Sequence, residues 1–196
     1  MPDLTIAELP QLSCRTFSAD AGVQEASEQL EPGQAIVVTH GQGGHPLGVI
    51  PPAQAALLAG LQGSLSDHRT LWQPPTCVLS STQVADVLQA MHHDKSIGWQ
   101  AVIQSGRPVA LVSPDTLYDH SRSMAALQGD ASLSMAIYGD PVADPPGLCY
   151  LCSADPAHVI PPKRVEERTA DGQALCPCDS TPMLGTFVCP QEFSPC

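Results

Sequence analysis

Two stretches of the sequence follow one pattern, and an internal repeat of this kind constrains the fold more than any other feature. One stretch begins at Ser18 and the other at Ser80, and each opens with polar residues that can cap a helix. Apolar residues then recur at the spacing that places them on one helical face. They are Val23, Ala26 and Leu30 in the first stretch and Val84, Val87, Leu88 and Met91 in the second. Each predicted helix must therefore pack one face against another element.

Each predicted helix is followed by two short runs rich in β-branched residues, with a Gly-containing turn between them. The runs are 36–38 and 47–50 in the first stretch, and 101–103 and 109–112 in the second. A further helical stretch follows each pair, "AQAALLAGLQG" in the first copy and "PDTLYDHSRSMAALQG" in the second. The second of these has Pro114 near its start, where proline is favoured. The sequence thus predicts a repeated unit of helix, strand, turn, strand and helix.

Two motifs extend this pattern, "T-x-S-x-D-x-x-x-x-E-A" at Thr16–Ala26 and "R-P-V-A-L-V-S-P-D-T-L" at Arg107–Leu117. With the repeat, they resemble a tandem pair of cystathionine-β-synthase-type (CBS) domains over about Leu12 to Leu127. The resemblance implies an α+β fold of two βαββα-like repeats, at about 12–63 and 74–128, packed as a pseudo-twofold disc. Members of the family often form homodimers, and many bind adenine nucleotides between the repeats and regulate an attached domain.

The resemblance also implies a nucleotide site in the second repeat. In the family, a Ser or Thr after the last strand and an Asp a few residues on hold the ribose and phosphates. Ser113 and Asp115 have these places in the second repeat, whereas the first repeat reads "GVIPPAQ", with proline and glutamine there. Read from the residues alone, Ser113 followed by Pro114 is typical of a helix N-terminus with a capping serine. A nucleotide-binding and a capping role therefore both remain open.

Cysteine is concentrated near the end of the chain, because six of the eight cysteines lie in the last quarter. They follow a proline-rich stretch, and prolines fix φ and lack an amide donor, so we predict a linker at 139–147. It would separate a repeat domain at 1–138 from a small module at 148–196. The other two, Cys14 and Cys77, have equivalent places in the two repeats, and we interpret them as small buried hydrophobic residues.

The clustered cysteines predict a metal site. Two residues separate Cys149 from Cys152, one separates Cys176 from Cys178, and 23 residues lie between the pairs. Two cysteines on one tight turn direct both thiolates at one ion, and a second such turn completes a tetrahedron. Zinc suits this arrangement, and its binding energy can fold a segment too small for its own core. The second pair is one residue shorter than the usual spacing, so His158 or Cys189 is the alternative fourth ligand.

Residues 148–184 resemble a zinc ribbon or a rubredoxin-like module, because "L-C-P-C-D-S-T-P-M-L" is similar to the "C-P-x-C-G" knuckle of such ribbons. The resemblance implies a small metal-bound β ribbon. Iron is the alternative to zinc, since tetrahedral four-sulfur coordination fits both ions. The run 163–168, between the two cysteine pairs, carries charges of both signs, and we interpret it as a solvated face.

The charge balance excludes some partners. The chain has 20 acidic and 8 basic residues, which gives a formal net charge of −12 at pH 7. This excess repels phosphate backbones and anionic membrane surfaces. No apolar run approaches the roughly 20 residues that span a bilayer. We therefore expect neither nucleic acid nor a membrane as a partner.

The first residues carry acids where a secretory signal has basic residues, and no continuous apolar run follows them. We therefore expect a cytoplasmic protein, in which thiols stay reduced and clustered cysteines hold metal more often than they form disulfides. No local motif of a catalytic triad is present. The sequence thus predicts a non-enzymatic regulatory or adaptor protein that binds zinc, contacts a protein partner and forms a homodimer. The alternatives are a rubredoxin-like electron carrier and a thiol switch in which oxidation of Cys176 and Cys178 releases zinc.

Overall fold

The computed structural model of the 196-residue chain describes residues 4–41, 44–94, 96–128, 147–152, 158–169 and 173–188. The predicted linker at 139–147 lies outside the described residues, apart from Gly147. The division of the chain at that linker therefore stays a prediction.

The described residues contain two copies of a unit of strand, helix, strand, strand and helix. Repeat 1 consists of β1 (Leu12–Ser18), α1 (Val23–Gln29), β2 (Ala35–Thr39), β3 (Pro46–Ile50) and α2 (Pro52–Ala55). Repeat 2 consists of β4 (Pro75–Leu79), α3 (Val84–His93), β5 (Trp99–Gln104), β6 (Arg107–Val112) and α4 (Pro114–Gln128). The predicted α+β class and the repeat are thereby confirmed. The structure also gives the bounds of the strands that open each repeat, β1 and β4, which periodicity alone does not locate.

The second helical stretch of repeat 1 differs from the expectation. Helix α2 has only four residues, and the chain continues as a 3-10 helix over Ala56–Gly60. Ala55 and Leu58 are buried whereas Leu57 is 60% exposed, so the buried positions are three residues apart, the period of a 3-10 helix. Three further 3-10 helices cover Ile6–Glu8, Leu65–Leu71 and Pro162–Arg164.

The six strands of the repeats form a curved sheet whose two edge strands, β3 and β4, come next to each other. Within each repeat the first strand is parallel to the second, and the second is antiparallel to the third. Between the repeats, β1 is antiparallel to β6, with Leu12 opposite Leu111. At the other junction Val49 of β3 and Gln73, which lies just before β4, exchange two backbone hydrogen bonds of 2.8 Å. The two junctions are therefore related as a pseudo-twofold axis would relate them.

This curvature gives the sheet an inner and an outer face. The inner face carries small and β-branched side chains from several strands of both repeats, which form one cluster. On the outer face, α1 and the 3-10 segments cover repeat 1, while α3, α4 and Ile6 cover repeat 2. The predicted apolar faces of both helices are buried, since Val23, Ala26, Val84, Val87, Leu88 and Met91 are each at most 3% exposed. Hydrophobic burial on both faces of the sheet thus holds the two repeats together.

The described cysteine-rich residues join the same sheet. They form β7 (Cys149–Cys152), β8 (Val159–Ile160) and β9 (Met183–Thr186). Strand β9 is parallel to β4, with Thr186 opposite Cys77, and antiparallel to β7, which in turn is antiparallel to β8. The strand order among the described residues is β3-β2-β1-β6-β5-β4-β9-β7-β8. The cysteine-rich segment is therefore attached to repeat 2 through β4.

Candidate metal centre

The hairpin of β7 and β8 brings Cys152 and His158 together. Tyr150 lies opposite Ile160 and Leu151 opposite Val159, so the antiparallel register places His158 opposite Cys152. The amide of Cys152 donates a 3.0 Å hydrogen bond to the carbonyl of His158. Directly opposite residues of an antiparallel pair point to the same face. The two side chains therefore face the same space.

A second hairpin brings Cys176 to that space. Leu175 bridges to Pro182, the Cys176 amide donates to the Thr181 carbonyl at 2.8 Å, and the Ser180 amide donates to the Cys176 carbonyl at 2.8 Å. Ser180 has φ of 55°, a left-handed conformation that glycine adopts more easily. The turn is therefore of the tight, knuckle-like kind although no glycine follows Cys178.

The three side chains form a group with the dimensions of a metal site. One ligand atom each from Cys152, His158 and Cys176 lies within 4.8 Å of the others, and Cys176 Sγ is 3.2 Å from His158 Nδ1. In a tetrahedral zinc site with Zn–S bonds of about 2.3 Å, two sulfurs lie about 3.8 Å apart. Cys152 is 1% and Cys176 is 2% exposed, so an ion held here would be shielded from water. Soft thiolates with an imidazole are the donors that zinc prefers.

The structure brings only part of the predicted ligand set together. Cys152 and Cys176 are in the group, together with His158, the alternative ligand. Cys178 is exposed, and its Sγ is 3.9 Å from His158 Nε2. Cys189 lies outside the described residues.

Cys149 lies on the other face of the strand. Cys149 and Cys152 are the two ends of β7, and residues three apart in a strand point to opposite faces. Tyr150 and Cys152 accordingly pack in the outer core of repeat 2, whereas Leu151 packs in the inner cluster. The segment is a strand and not the turn that the Cys-x-x-Cys spacing suggested. The geometry therefore favours His158 over Cys149 as the partner of Cys152.

The surroundings of the group act on a bound cation in two opposite ways. Burial raises the pKa of the Cys176 thiol to about 11, which opposes metal binding because an ion would have to displace the proton. Asp179 accepts hydrogen bonds from the hydroxyl and amide of Thr181 at 2.7 and 3.1 Å, and these hold the pKa of its carboxyl below the usual range. Thr181 Oγ1 also lies 3.2 Å from Cys152 Sγ. A carboxylate held by a residue that touches a ligand is typical of the outer shell of a metal site.

A buried polar cluster fastens the β7 strand to repeat 2, and the sequence analysis did not find it. Asp94, at the end of α3, is 3% exposed and Tyr150 is 1% exposed. The Tyr150 hydroxyl donates to Asp94 Oδ2, and Arg168 Nη1 donates to the same oxygen at 2.6 Å. The Arg168 guanidinium also lies over the Tyr150 ring, 5.6 Å from its centre. Arg164, Glu166, Glu167 and Arg168 are exposed, as the interpretation of this run as a solvated face expects. That interpretation did not foresee that Arg168 also neutralises a buried carboxylate.

The cluster also perturbs the ionisation of its members. Burial alone would raise the pKa of the Asp94 carboxyl, but hydrogen bonds from Tyr150, Arg168 and Ser96 hold that pKa below its ordinary value. The pKa of Tyr150 is raised by burial and by its hydrogen bond to the Asp94 carboxylate. Asp94 is thus a carboxylate and Tyr150 a neutral donor at neutral pH. No sequence motif marks this cluster, because its residues lie 18 to 74 positions apart.

Ser113 acts as a helix cap. Its Oγ accepts a 3.1 Å hydrogen bond from the Thr116 amide in the first turn of α4, and Thr116 Oγ1 lies 2.9 Å away. Asp115 is exposed in the same turn, where a negative charge interacts favourably with the helix dipole. The arrangement provides the capping role that the residues alone suggested. Their implied role in nucleotide binding stays a prediction.

We expect Ser113→Ala to lower the free energy of unfolding by about 1 kcal/mol, because the Thr116 amide loses its acceptor. Chemical denaturation of the variant and the parent protein measures the difference. Ser66→Ala, in a 3-10 segment of repeat 1, is the matched control and should cost less. If Ser113 instead binds a nucleotide, AMP would raise the stability of the parent protein and not of the variant.

Cys14 and Cys77 lie in strands of the two repeats, outside the group of Cys152, His158 and Cys176. They lie in β1 and β4, and burial raises the pKa of Cys14 to about 11 and that of Cys77 to about 12. Both thiols are therefore protonated at neutral pH. Cys77 is buried as predicted, whereas Cys14 is only partly buried against the inner cluster.

Several of the solved structures that are similar to this chain are described as CBS domains. The CBS domain of a putative transporter from Clostridium difficile 630 is 9% identical, with a TM-score of 0.45, over 62% of this chain and 96% of that chain. A hemolysin-like protein containing a CBS domain, from Oenococcus oeni PSU, is 15% identical, with a TM-score of 0.42, over 60% and 89%. The CBS domain of a membrane protein from Sphaerobacter thermophilus is 18% identical, with a TM-score of 0.42, over 60% and 87%. No protein-family model and no curated protein matches the sequence.

Among the described residues, every helix is too short or too polar to cross a lipid bilayer.

Proposed function

We propose that this protein is a non-enzymatic regulatory module in which a CBS-like repeat pair carries a zinc centre formed by Cys152, His158 and Cys176. The zinc ion would stabilise the cysteine-rich strands against repeat 2. The observation that carries the proposal is the convergence of these three side chains within 4.8 Å, with Cys152 and Cys176 buried and His158 half-buried. Clustered thiol and imidazole donors of this kind have few other uses in a buried site.

The donor set favours zinc over a rubredoxin-like iron centre. A rubredoxin-like iron centre needs four thiolates, whereas the group here contains an imidazole. Cys178 is the nearest described thiol for the fourth position, since its Sγ is 3.9 Å from the His158 ring. Because Cys178 is exposed, the fourth ligand would face solvent, whereas the thiolates of Cys152 and Cys176 would be shielded. The site would therefore hold zinc in a structural role with one accessible side.

The rest of the proposal concerns partners. We expect the repeat pair to form a homodimer and to dock on a protein partner, and the excess of acidic residues favours a partner with a basic surface. Adenine nucleotide binding would be a second input to the same module. Because Ser113 caps a helix and Asp115 is exposed, nucleotide binding has less structural support than zinc binding.

Metal analysis of the purified full-length chain tests the proposal. We expect one zinc per chain and a colourless protein, because zinc has a filled d shell and no visible absorption. Ferric thiolate absorption, or less than about 0.2 metal ions per chain after growth with added zinc, would contradict it. Isothermal titration with AMP and ATP in the same preparation measures the nucleotide input separately.

A further inference from the structure

The first strands of the two repeats have different neighbours on their outer edges. Both β1 and β4 are parallel to the second strand of their own repeat on one side. On the other side β1 pairs with β6 only at Leu12 and Ser13. The rest of β1 borders an open cavity of about 750 Å³, lined by Thr16, Phe17, Ser18, Thr39, Arg107 and Pro108 among others. In repeat 2 the corresponding edge of β4 is covered by β9.

The cysteine-rich segment therefore fills, in repeat 2, the place that is a cavity in repeat 1. Thr186 pairs with Cys77, and the Phe187 amide donates to the Cys77 carbonyl at 2.8 Å. Val188 is 3% exposed and packs with Cys77 in the inner cluster. We call this contact surface, residues 75–79 of β4, the β4 edge. An uncovered strand edge is a surface for adding a strand, so the β4 edge is a strand-docking site with β9 as its occupant.

The fit of β9 to the β4 edge depends on a glycine. A Cβ atom on Gly185 would lie 3.2 Å from Thr76 Oγ1 and 3.5 Å from a methyl carbon of Leu148. The contact with Thr76 is tighter than ordinary van der Waals packing and the contact with Leu148 is an ordinary one, so a side chain larger than a methyl group at this position would push β9 away from β4. The docked strand is thus closely matched to its site.

The candidate metal centre lies at the start of β9. Met183, its first residue, is opposite Cys152, and Thr181, two residues earlier, accepts the hydrogen bond of the Cys176 amide. An ion bound by Cys152, His158 and Cys176 would join β7, the residue before β8 and the hairpin from which β9 emerges. The direct pairing of β9 with β4 is one residue pair and the Phe187 hydrogen bond, whereas β9 pairs with β7 over four residues. The position of β9 on β4 therefore depends on how firmly the β7 strand and the Cys176 hairpin are held together.

We infer that the metal centre controls the docking of β9, so that loss of the ion releases this strand and opens the β4 edge. The inference rests on the proposed zinc site. With the ion bound, the repeat pair has one open edge, at β1, and one edge occupied by its own strand. Without it, both edges are open, and the β4 edge can accept a strand from a partner. Metal occupancy thereby changes the surface that the repeat pair presents.

Hydrogen exchange of the full-length chain tests the inference. We expect removal of zinc with a chelator to increase amide exchange in residues 75–79 at least tenfold, and to leave residues 12–18 of β1 unchanged. Returning zinc should restore the protection. Equal exchange of residues 75–79 with and without bound zinc would overturn the inference and leave the zinc site intact. Failure to bind zinc at all would overturn both.

A variant separates docking from metal binding. Gly185→Val should increase exchange in residues 75–79 while the chain still binds one zinc, because Gly185 contacts β4 and is not a ligand. Gly60→Val is the matched control, since nothing lies within 4 Å of a Cβ atom at Gly60. Unchanged exchange in Gly185→Val would contradict the docking geometry. If this variant does not fold, the chelator experiment on the parent protein still decides the question.

Discussion

Replacing Arg168 with methionine is expected to lower the free energy of unfolding by about 2–3 kcal/mol. The Asp94 side chain is 1% exposed, and without the guanidinium its charge would be buried with only neutral partners. Breaking a fully buried ion pair costs about 3–5 kcal/mol. The Arg168 side chain is 33% exposed, so water can partly replace it, and we expect a value below that range. Urea denaturation at neutral pH measures the difference.

Two further variants test whether the stability loss of Arg168→Met comes from the buried Asp94 charge. Arg164→Met, on an exposed arginine four residues earlier, should change stability by less than about 0.5 kcal/mol. Adding Asp94→Asn to Arg168→Met should recover part of the loss, because no charge then remains buried. Equal destabilisation by both arginine variants would show that the ion pair contributes nothing of its own.

The same carboxylate gives the stability a dependence on pH. The pKa of Asp94 is lower in the folded protein than its ordinary value. Its contribution is therefore fully present above the unfolded pKa of about 3.9, and it is lost as the pH falls through the folded value. The free energy of unfolding should fall more steeply below about pH 4 in the parent protein than in Asp94→Asn.

Replacing Cys176 with serine is expected to weaken zinc binding by more than a hundredfold. Loss of an outer-shell partner typically costs 10–100-fold in metal affinity, and loss of a buried ligand costs more. At a zinc concentration a hundred times the dissociation constant, zinc should raise the stability of the parent protein by about 2.7 kcal/mol. It should not stabilise Cys176→Ser. Competition with a chromophoric chelator measures the affinities.

Cys149→Ser is the control in the same strand. Cys149 points to the other face of β7, so this variant should retain its zinc, while His158→Ala should lose it. Cys178→Ser should have an intermediate effect, because an exposed fourth ligand can be replaced by water. If Cys149→Ser loses zinc and His158→Ala retains it, the four ligands predicted from the spacing are right and the histidine-containing group is wrong.

The sequence predicts the repeat because its signals are local. The helical faces of α1 and α3 and the β-branched runs of β2, β3, β5 and β6 are each read within about ten residues. The stretch after β3 is helical as predicted, but its apolar residues fit both an α-helix and a 3-10 helix, so the sequence does not indicate which of the two forms. The strands β1 and β4 lack a clean alternation of apolar and polar residues, so their bounds came only from the structure.

The metal ligands show a conflict between spacing and local propensity. Cys149 and Cys152 have the spacing of a knuckle, but the residues between them, Tyr150 and Leu151, favour a strand. A strand at this position would have predicted the pairing of Cys152 with His158, because the intervening sequence "SADPA" is rich in residues that favour turns. No local sequence pattern indicates the Asp94 cluster, because Asp94, Tyr150 and Arg168 come into contact only in the tertiary fold.

The junctions between the repeats also affect how the chain can fold. Leu12 pairs with Leu111, almost a hundred residues later, so the first strand of repeat 1 completes its sheet only when the last strand of repeat 2 has been made. Contacts so distant in sequence close a large loop before they gain any stabilisation, and they slow folding. During synthesis, the start of β1 therefore gains its partner in β6 only after most of the polypeptide has left the ribosome.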